Sequence, residues 1–270
     1  MKKNLSIIIT LYKTPSKMLN NLVQYKDFKL FIFDHDIQNN KSKISSILQK
    51  KFYYNFSKYN VGLSKATNFL ISKVKTKYFL FTQADIKISK KSISALLSAF
   101  RQDKNIIFAA PVLKKSFTKG IKAKFQYQND LDASVMMCDT KKVKKLGFFD
   151  ENFFLYWEDK DLMQRAKKSS FKMVKVLHSN AVHLGGKSTQ EDTNTKLVRK
   201  INFKYGEFVF DLKYKRLRLL KIIRNFFKNS IFLIFNIFLF NKSGLINNYS
   251  NIAGTLKFIY NFLFKKIKFK

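Results

Sequence analysis

The sequence predicts an α/β fold: a doubly wound, mixed but mainly parallel sheet flanked by helices, followed by a basic, amphipathic helical extension at the C-terminus. Three observations predict it. Short apolar runs rich in β-branched residues alternate with segments of helical apolar spacing up to about Val112. Two of those runs end abruptly in polar and acidic residues, where open α/β sheets gather their ligand contacts. From about Lys196 the chain changes character, because its only remaining acids are Glu207 and Asp211 while basic and aromatic residues dominate. The expected domains are therefore residues 1–195 and a helical region over residues 196–270.

Leu5 to Thr10 is the first strand. Lysines precede it, but the apolar run is short and meets no small-residue cleavage site, so it reads as a strand and not as a secretion signal. Pro15 opens a helix that runs to about Tyr25. Leu30 to Phe33 forms a second strand, ending in Asp34-His35-Asp36, and Phe52 to Phe56 a third. Asn60-Val61-Gly62 marks a turn before a helix over Leu63 to Val74. The fourth strand, Tyr78 to Phe81, again ends in polar residues, Thr82-Gln83-Ala84-Asp85, which sets Asp34 and Asp85 on one rim. A helix over Ser89 to Phe100 and a strand over Ile106 to Val112 follow. The alternation then weakens: Leu131 to Cys138 reads as a strand, Lys141 to Leu146 and Asp159 to Lys168 as helices, and Phe171 to Leu177 as a strand. His183-Leu184-Gly185-Gly186 closes this half.

A hydrophobic share of 46% over 270 residues supports a sizeable core and excludes a disordered chain. Cys138 is the single cysteine, so an internal disulfide is excluded and a reduced cytoplasm is the expected setting. The formal charge of +36 attracts nucleic acid, acidic lipid and phosphorylated substrates alike. Lysine supplies most of it, and the abundance of Lys, Asn, Ile and Phe also fits A/T-rich codons. Base readout leans on arginine forks, and the chain has neither zinc-finger spacing nor an RNA-binding sheet motif, which argues against specific nucleic-acid recognition.

In Leu217 to Phe227, the residues Leu219, Leu220, Ile223, Phe226 and Phe227 share one helical face, with Arg218, Lys221, Arg224 and Lys228 off it. Ile231 to Phe240 is almost wholly apolar, but it falls well short of the roughly 20 residues that span a bilayer. The expectation is a segment lying in the membrane interface. The alternative is a helical hairpin packed on the domain or on a dimer partner.

Gly147 to Leu162 sets Asp150, Glu151, Glu158, Asp159 and Asp161 among aromatic residues. Desolvation against rings raises a carboxylate's basicity and suits it to act as a general base. Acids at a helix N-terminus, complementing the dipole, are the alternative.

The order of these motifs resembles glycosyltransferase family 2, the inverting nucleotide-sugar transferases of the GT-A fold, particularly its rhamnosyltransferase-like branch. The resemblance covers about residues 4 to 190. It rests on Ser6-Ile7-Ile8-Ile9-Thr10, Phe31-Ile32-Phe33-Asp34-His35, Asn60 to Asn68, Tyr78 to Asp85, and Gly147 to Leu162, with His183 and Gly185-Gly186 following. It implies that Thr10 and Asp34 line a pyrimidine pocket and that Asn60 and Gly62 approach the nucleotide. Asp85 then matches the last acid of a metal motif binding Mg²⁺ or Mn²⁺, Gln83 stands where many relatives have a first Asp, and His183 lies near the metal or phosphates. Asp159 would be the catalytic base, with Glu158 competing. Tyr156 and Trp157 would wall a sugar ring or belong to the core, and Arg165 would pair with a carboxylate or the donor phosphates. The implied activity is transfer from a UDP- or dTDP-sugar, with dTDP-rhamnose suggested by the branch, to a glycan or lipid-linked glycan in cell-surface polysaccharide synthesis. The basic C-terminus adds an anionic membrane surface as partner and a cytoplasmic location peripheral to the inner face of the cell membrane. Two rivals remain: a degenerate transferase fold kept for binding or assembly, suggested by Gln83, and a nucleic-acid-binding protein.

Overall fold

The structure, a computed structural model, describes residues 2–35, 38–113 and 124–269; Asp36 of the second strand's polar end lies outside the described residues. The chain divides into two compact units: residues 1–149 with 162–190, and residues 150–161 with 191–270.

The first unit carries the strands β1 (Leu5–Leu11), β2 (Lys29–Asp34), β3 (Tyr53–Phe56), β4 (Tyr78–Thr82), β5 (Ile86–Ile88), β6 (Ile106–Val112), β7 (Phe125–Gln128), β8 (Val135–Asp139) and β9 (Lys172–His183). They pair in the order β3-β2-β1-β4-β8-β6-β9-β5, with β7 also on β9. The pairs β1–β2, β1–β4, β2–β3 and β6–β9 are parallel, whereas β8 runs antiparallel to both β4 and β6. Both β5 and β7 run antiparallel to β9. The sheet is thus mixed, with parallel pairing concentrated in the N-terminal half.

The apolar run of β1 is continuous because both faces are covered. Ile7 and Ile9 enter one core, with Leu30 and Ile32 of β2 and Leu80 of β4. Ile8 enters the other, with Phe33, Phe79 and Phe81. The helices α1 (Ser16–Leu19), α2 (Lys41–Leu48) and α4 (Lys90–Gln102) contribute Leu19, Ile44, Leu48, Ile93, Leu96 and Phe100 to the first core. The helices α3 (Leu63–Lys73), α5 (Thr140–Leu146) and α6 (Glu158–Lys168) contribute Leu70, Ile71, Val143, Leu162, Met163 and Ala166 to the second.

Several boundaries differ from the sequence reading. The helix expected from Pro15 to Tyr25 is one α turn, α1, continued by a 3₁₀ segment over Asn20–Tyr25. The strand expected from Phe171 to Leu177 runs on to His183, because its C-terminal part pairs with β5. Helix α2, β5 and β7 are additional.

The second unit contains the segment 150–161 and the helices α7 (Thr193–Lys213), α8 (Leu219–Phe238) and α9 (Lys242–Leu263). Both α7 and α8 pack on α9. Its core holds Phe153, Tyr205, Phe208, Val209, Phe210, Ile222 and Phe258. Lys213 ties the segment down, reaching Asp150 Oδ2 and Asp161 Oδ1 at 2.6 Å each. Tyr214 donates its hydroxyl to Asp161 Oδ1 at 2.9 Å, so Asp161, fully buried, is a structural carboxylate.

The apolar segments expected separately over Leu217 to Phe227 and Ile231 to Phe240 form the single helix α8 and the turn after it. That helix is arranged inside out. Its buried positions are Ile222, Asn229 and Asn236, spaced one heptad apart, and Asn229 accepts from Asn251 of α9 at 3.0 Å. Its large apolar side chains face outward, with Leu220 78% and Phe238 76% exposed. No helix among the described residues is long and apolar enough to cross a membrane.

Candidate active site

In the first unit, parallel pairing aligns the strand ends: Leu11 lies opposite Asp34, and Ile9 opposite Thr82. Thr10, Asp34 and Gln83 therefore share one rim. Asp85 follows Thr82 by three residues, in a tight turn where Ile86 N–H donates to Gln83 O at 3.2 Å. The 3₁₀ segment clamps this turn. Asn21 donates to Ala84 O at 3.0 Å, while Gln24 donates to Ile86 O and accepts from Ile88 N–H, both at 2.8 Å.

Pairing of β5 with β9 sets Ile86 opposite His183 and so brings together two residues far apart in sequence. Asp85 is fully buried, and its Oδ2 lies 3.4 Å from His183 Nε2 and accepts Lys187 N–H at 3.0 Å. Gly185 and Gly186 make the second bond possible, with φ of 67° and 66° in the left-handed region that side chains disfavour. Asp85 Oδ1 is buried with no hydrogen-bond partner among the described residues. An unmatched buried carboxylate oxygen is costly in isolation and well suited to a hard cation. No group of three or more His, Cys, Asp or Glu side chains placed to hold a metal occurs among the described residues.

Asp34 is fully buried, and its Oδ2 accepts from Tyr54 Oη at 2.6 Å, Asn40 Nδ2 at 3.0 Å and Asn40 N–H at 3.2 Å. It thereby fastens the start of α2 and β3 to the rim. Beside it, burial pushes the His35 imidazole down to about 4, so it is neutral at physiological pH. Gly62 precedes α3 with φ 86°, and its N–H donates to Asn60 Oδ1 at 3.0 Å. The positive φ accounts for a glycine here. Arg165, expected to pair with a carboxylate or with phosphates, directs its guanidinium at backbone: it donates to Leu146 O, Gly147 O and Phe148 O at 3.0, 2.8 and 2.7 Å.

The remaining candidates lie in the second unit. Tyr156 and Trp157 are consecutive residues at φ 68° and 71°, a conformation costing about 1–2 kcal/mol per non-glycine residue. They immediately precede Glu158, the first residue of α6. Trp157 belongs to the packing: its indole N–H donates to Phe203 O at 3.0 Å, and its ring meets Phe210 at 5.2 Å. A Cβ on Gly206 would come within 2.7 Å of that ring. Tyr156 instead lines a cavity of about 360 Å³ with Arg199, Lys200, Lys204, Asn247 and Asn251. The α7 cations there escaped the sequence reading, although Lys200, Phe203 and Lys204 share one helical face at i, i+3, i+4 spacing.

Glu158 is 5% exposed, and burial pushes its carboxyl up to about 8, with the charge of Asp159 adding to the effect. Asp159 is partly exposed, and its Oδ1 accepts Lys160 N–H at 2.8 Å. At neutral pH Glu158 therefore keeps its proton.

Similarity to known proteins agrees with this geometry. The model of the family "Glycosyl transferase family 2" matches residues 6–177. No curated protein sequence matches significantly. Among solved structures, a mannosyltransferase from Pyrobaculum calidifontis, in complex with GDP-Man and Mn²⁺, superposes with a TM-score of 0.59 at 10% identity, over 97% of this chain and 88% of that one. S. aureus TarS 1–349 gives 0.52 at 13% identity, over 94% and 91%. GalNAc-T7 with UDP, GalNAc and Mn²⁺ gives 0.55 at 11% identity, covering 77% of this chain, which spans only about half (49%) of the length of GalNAc-T7. Such identities speak for the fold. The family match, which extends over well more than half of the sequence, is what establishes that the chain belongs to glycosyl transferase family 2.

Proposed function

We propose that the protein is a metal-dependent, inverting glycosyltransferase that moves a sugar from a UDP- or dTDP-sugar, dTDP-rhamnose among them, to a glycan or lipid-linked glycan at a membrane surface. One observation carries this reading: the buried Asp85 carboxylate at the strand rim, with Oδ2 held by Lys187 N–H and Oδ1 without a partner among the described residues. Asp85 and His183 fit a divalent cation, and Mn²⁺ accompanies the nucleotide ligands of two structural neighbours. When bound, such a cation would neutralise charge on the leaving nucleoside diphosphate.

The chain's own residues supply the rest. Thr10, Asn60 and Gly62 line the donor side, and Asp34 shapes it through Asn40 and Tyr54. Gln83 brings an amide where an acid is common, enough to orient a ribose hydroxyl without adding charge. Asp159 takes the proton from the acceptor hydroxyl as that oxygen attacks the anomeric carbon from the face opposite the diphosphate. Glu158, its carboxyl pushed up to about 8 by burial, is the competing candidate for this role. Arg165 positions the chain before the catalytic segment by holding three successive carbonyls.

The inside-out helix α8 supports a membrane-surface acceptor. An exposed row of Leu220, Ile223, Phe227, Ile231, Ile234 and Phe238, with Arg224 and Lys228 alongside, suits the headgroup boundary of an anionic bilayer.

The test is nucleotide-sugar hydrolysis and transfer with added Mn²⁺, compared among the wild type, Asp85→Asn and Asp159→Asn. The expected outcome is loss of metal-stimulated donor binding in the first variant. In the second, donor binding persists and transfer falls by about 100-fold or more. Full transfer by folded Asp159→Asn eliminates it as the base. Donor binding without turnover in the wild type favours a degenerate, binding role.

A further inference from the structure

The Tyr156 cavity is built within the second unit from α7, α9 and the strained turn ahead of the Asp159 segment. We infer that it is a binding site for the diphosphate ester of a lipid-linked acceptor. This rests on the transferase reading for its purpose but not for its chemistry.

Six of the seven lining residues carry a hydrogen-bond donor, and Phe203 is the seventh. Arg199 offers a guanidinium, Lys200 and Lys204 ammonium groups, Tyr156 a phenol, and Asn247 and Asn251 amides. The acids that approach these cations are shared. Glu191 lies 3.4 Å from Arg199 but also 3.7 Å from Lys196, and Glu207 lies 2.7 Å from Lys204 but also 2.6 Å from Lys221. Lys200 spends one proton on Asn247 Oδ1 at 3.0 Å, a neutral acceptor that does not offset its charge. A concave surface with this excess of positive donors matches a multi-oxygen anion that only accepts, and a diphosphate offers more acceptors than a carboxylate. The volume of about 360 Å³ falls in the range of small-ligand pockets.

Two features tie the anion to the acceptor. Tyr156 lies three residues before Asp159 in the chain, and its strained φ of 68° is the sort of local cost that structures retain at functional sites. Burial pushes the Tyr156 phenol upward, so it stays protonated as a donor. The same unit carries the outward apolar face of α8, which suits a lipid tail and a membrane surface.

The experiment uses the full chain with EDTA, so that no divalent cation supports anion binding at Asp85. Binding is measured to inorganic pyrophosphate, to phosphatidylcholine vesicles doped with farnesyl diphosphate, and to vesicles of equal charge made with phosphatidylglycerol. Arg199→Gln/Lys200→Gln should weaken the pyrophosphate and farnesyl diphosphate arms by about tenfold or more and leave phosphatidylglycerol binding nearly unchanged. Lys141→Gln/Lys145→Gln, of equal charge loss on α5, should weaken none of them selectively. Both pairs lie at exposed or half-exposed helix positions and glutamine keeps helix propensity, so folded protein is expected, with circular dichroism as the check. Equal weakening of all three arms, or by both double variants, overturns the proposal in favour of general charge attraction. Pyrophosphate binding with no preference for farnesyl diphosphate vesicles assigns a soluble diphosphate and overturns the lipid linkage. None of these readouts needs a sugar donor, so absent turnover with intact, residue-dependent pyrophosphate binding refutes the transferase reading and spares the cavity.

Discussion

Replacing Glu158 by glutamine should stabilise the protein by an amount that grows with pH. The side chain is 5% exposed, and its Oε2 has no hydrogen-bond partner among the described residues. Burial first, and the Asp159 charge second, move its carboxyl from 4.5 to about 8. The unfolded chain ionises this group near its ordinary value, so between 4.5 and about 8 the folded state holds a proton that the unfolded state has released. The stability contributed by the neutral carboxyl is therefore complete below pH 4.5, declines as pH rises, and is gone above about 8. The slope is about 1.4 kcal/mol per pH unit, which gives about 5 kcal/mol across the interval and about 3 kcal/mol near neutrality. Glutamine is neutral throughout and of nearly the same shape. Urea unfolding followed by the emission of Trp157, the sole tryptophan and the adjacent residue, measures the difference between variant and wild type. A difference that stays flat from about pH 5 to about pH 8 refutes a buried, protonated Glu158.

Gly206→Ala tests the packing behind the same turn. Alanine gains up to about 1 kcal/mol of helix propensity, but its Cβ would meet Trp157 Cδ1 at 2.7 Å, and overpacking of this kind costs about 1–3 kcal/mol. The expected result is net destabilisation with a shift in Trp157 emission, and a stabilised variant with unchanged emission counts against the contact. For the outward face of α8, Phe227→Ser/Phe238→Ser should weaken binding to phosphatidylglycerol vesicles by about 100-fold if both rings enter the lipid. The binding should also fall with added salt. Unaltered partitioning in cosedimentation points instead to a protein partner for this face.

The parts of the fold visible in the sequence are those stabilised by near-neighbour patterning. The run of β1 reads as a buried strand because Ile7, Ile8 and Ile9 alternate between two covered faces. What remained hidden depends on pairing across long separations. The strand β5 is three residues long and becomes a strand only by meeting β9, which also extends β9 to His183 and delivers that imidazole to Asp85. Helix α2 buries only Ile44 and Leu48, too thin a stripe to register as periodic. The two segments read separately, Leu217 to Phe227 and Ile231 to Phe240, are joined through Lys228-Asn229-Ser230 within α8. Asn229 is in fact a seam residue facing α9, because this helix buries its polar side and exposes its apolar one.

The strained pair Tyr156-Trp157 left no trace in sequence for a different reason. Left-handed backbone is signalled by glycine or asparagine, and here two bulky aromatics adopt it in succession. Local preference therefore opposes the observed turn, and the surrounding contacts must overcome it. They are visible for Trp157: the bond to Phe203 O, the ring of Phe210, and the space left by Gly206. Tyr156 gains a T-shaped contact with Phe203 and otherwise faces the cationic cavity. Directly after the pair, Trp157 O accepts Asp161 N–H at 2.9 Å to begin α6, so the strained turn fixes the direction in which Glu158 and Asp159 leave the chain. A pair of carboxylates whose direction depends on an opposed local preference is sensitive to the packing of the indole. Gly206, distant in sequence, thus bears on the placement of Glu158 and Asp159 through Trp157.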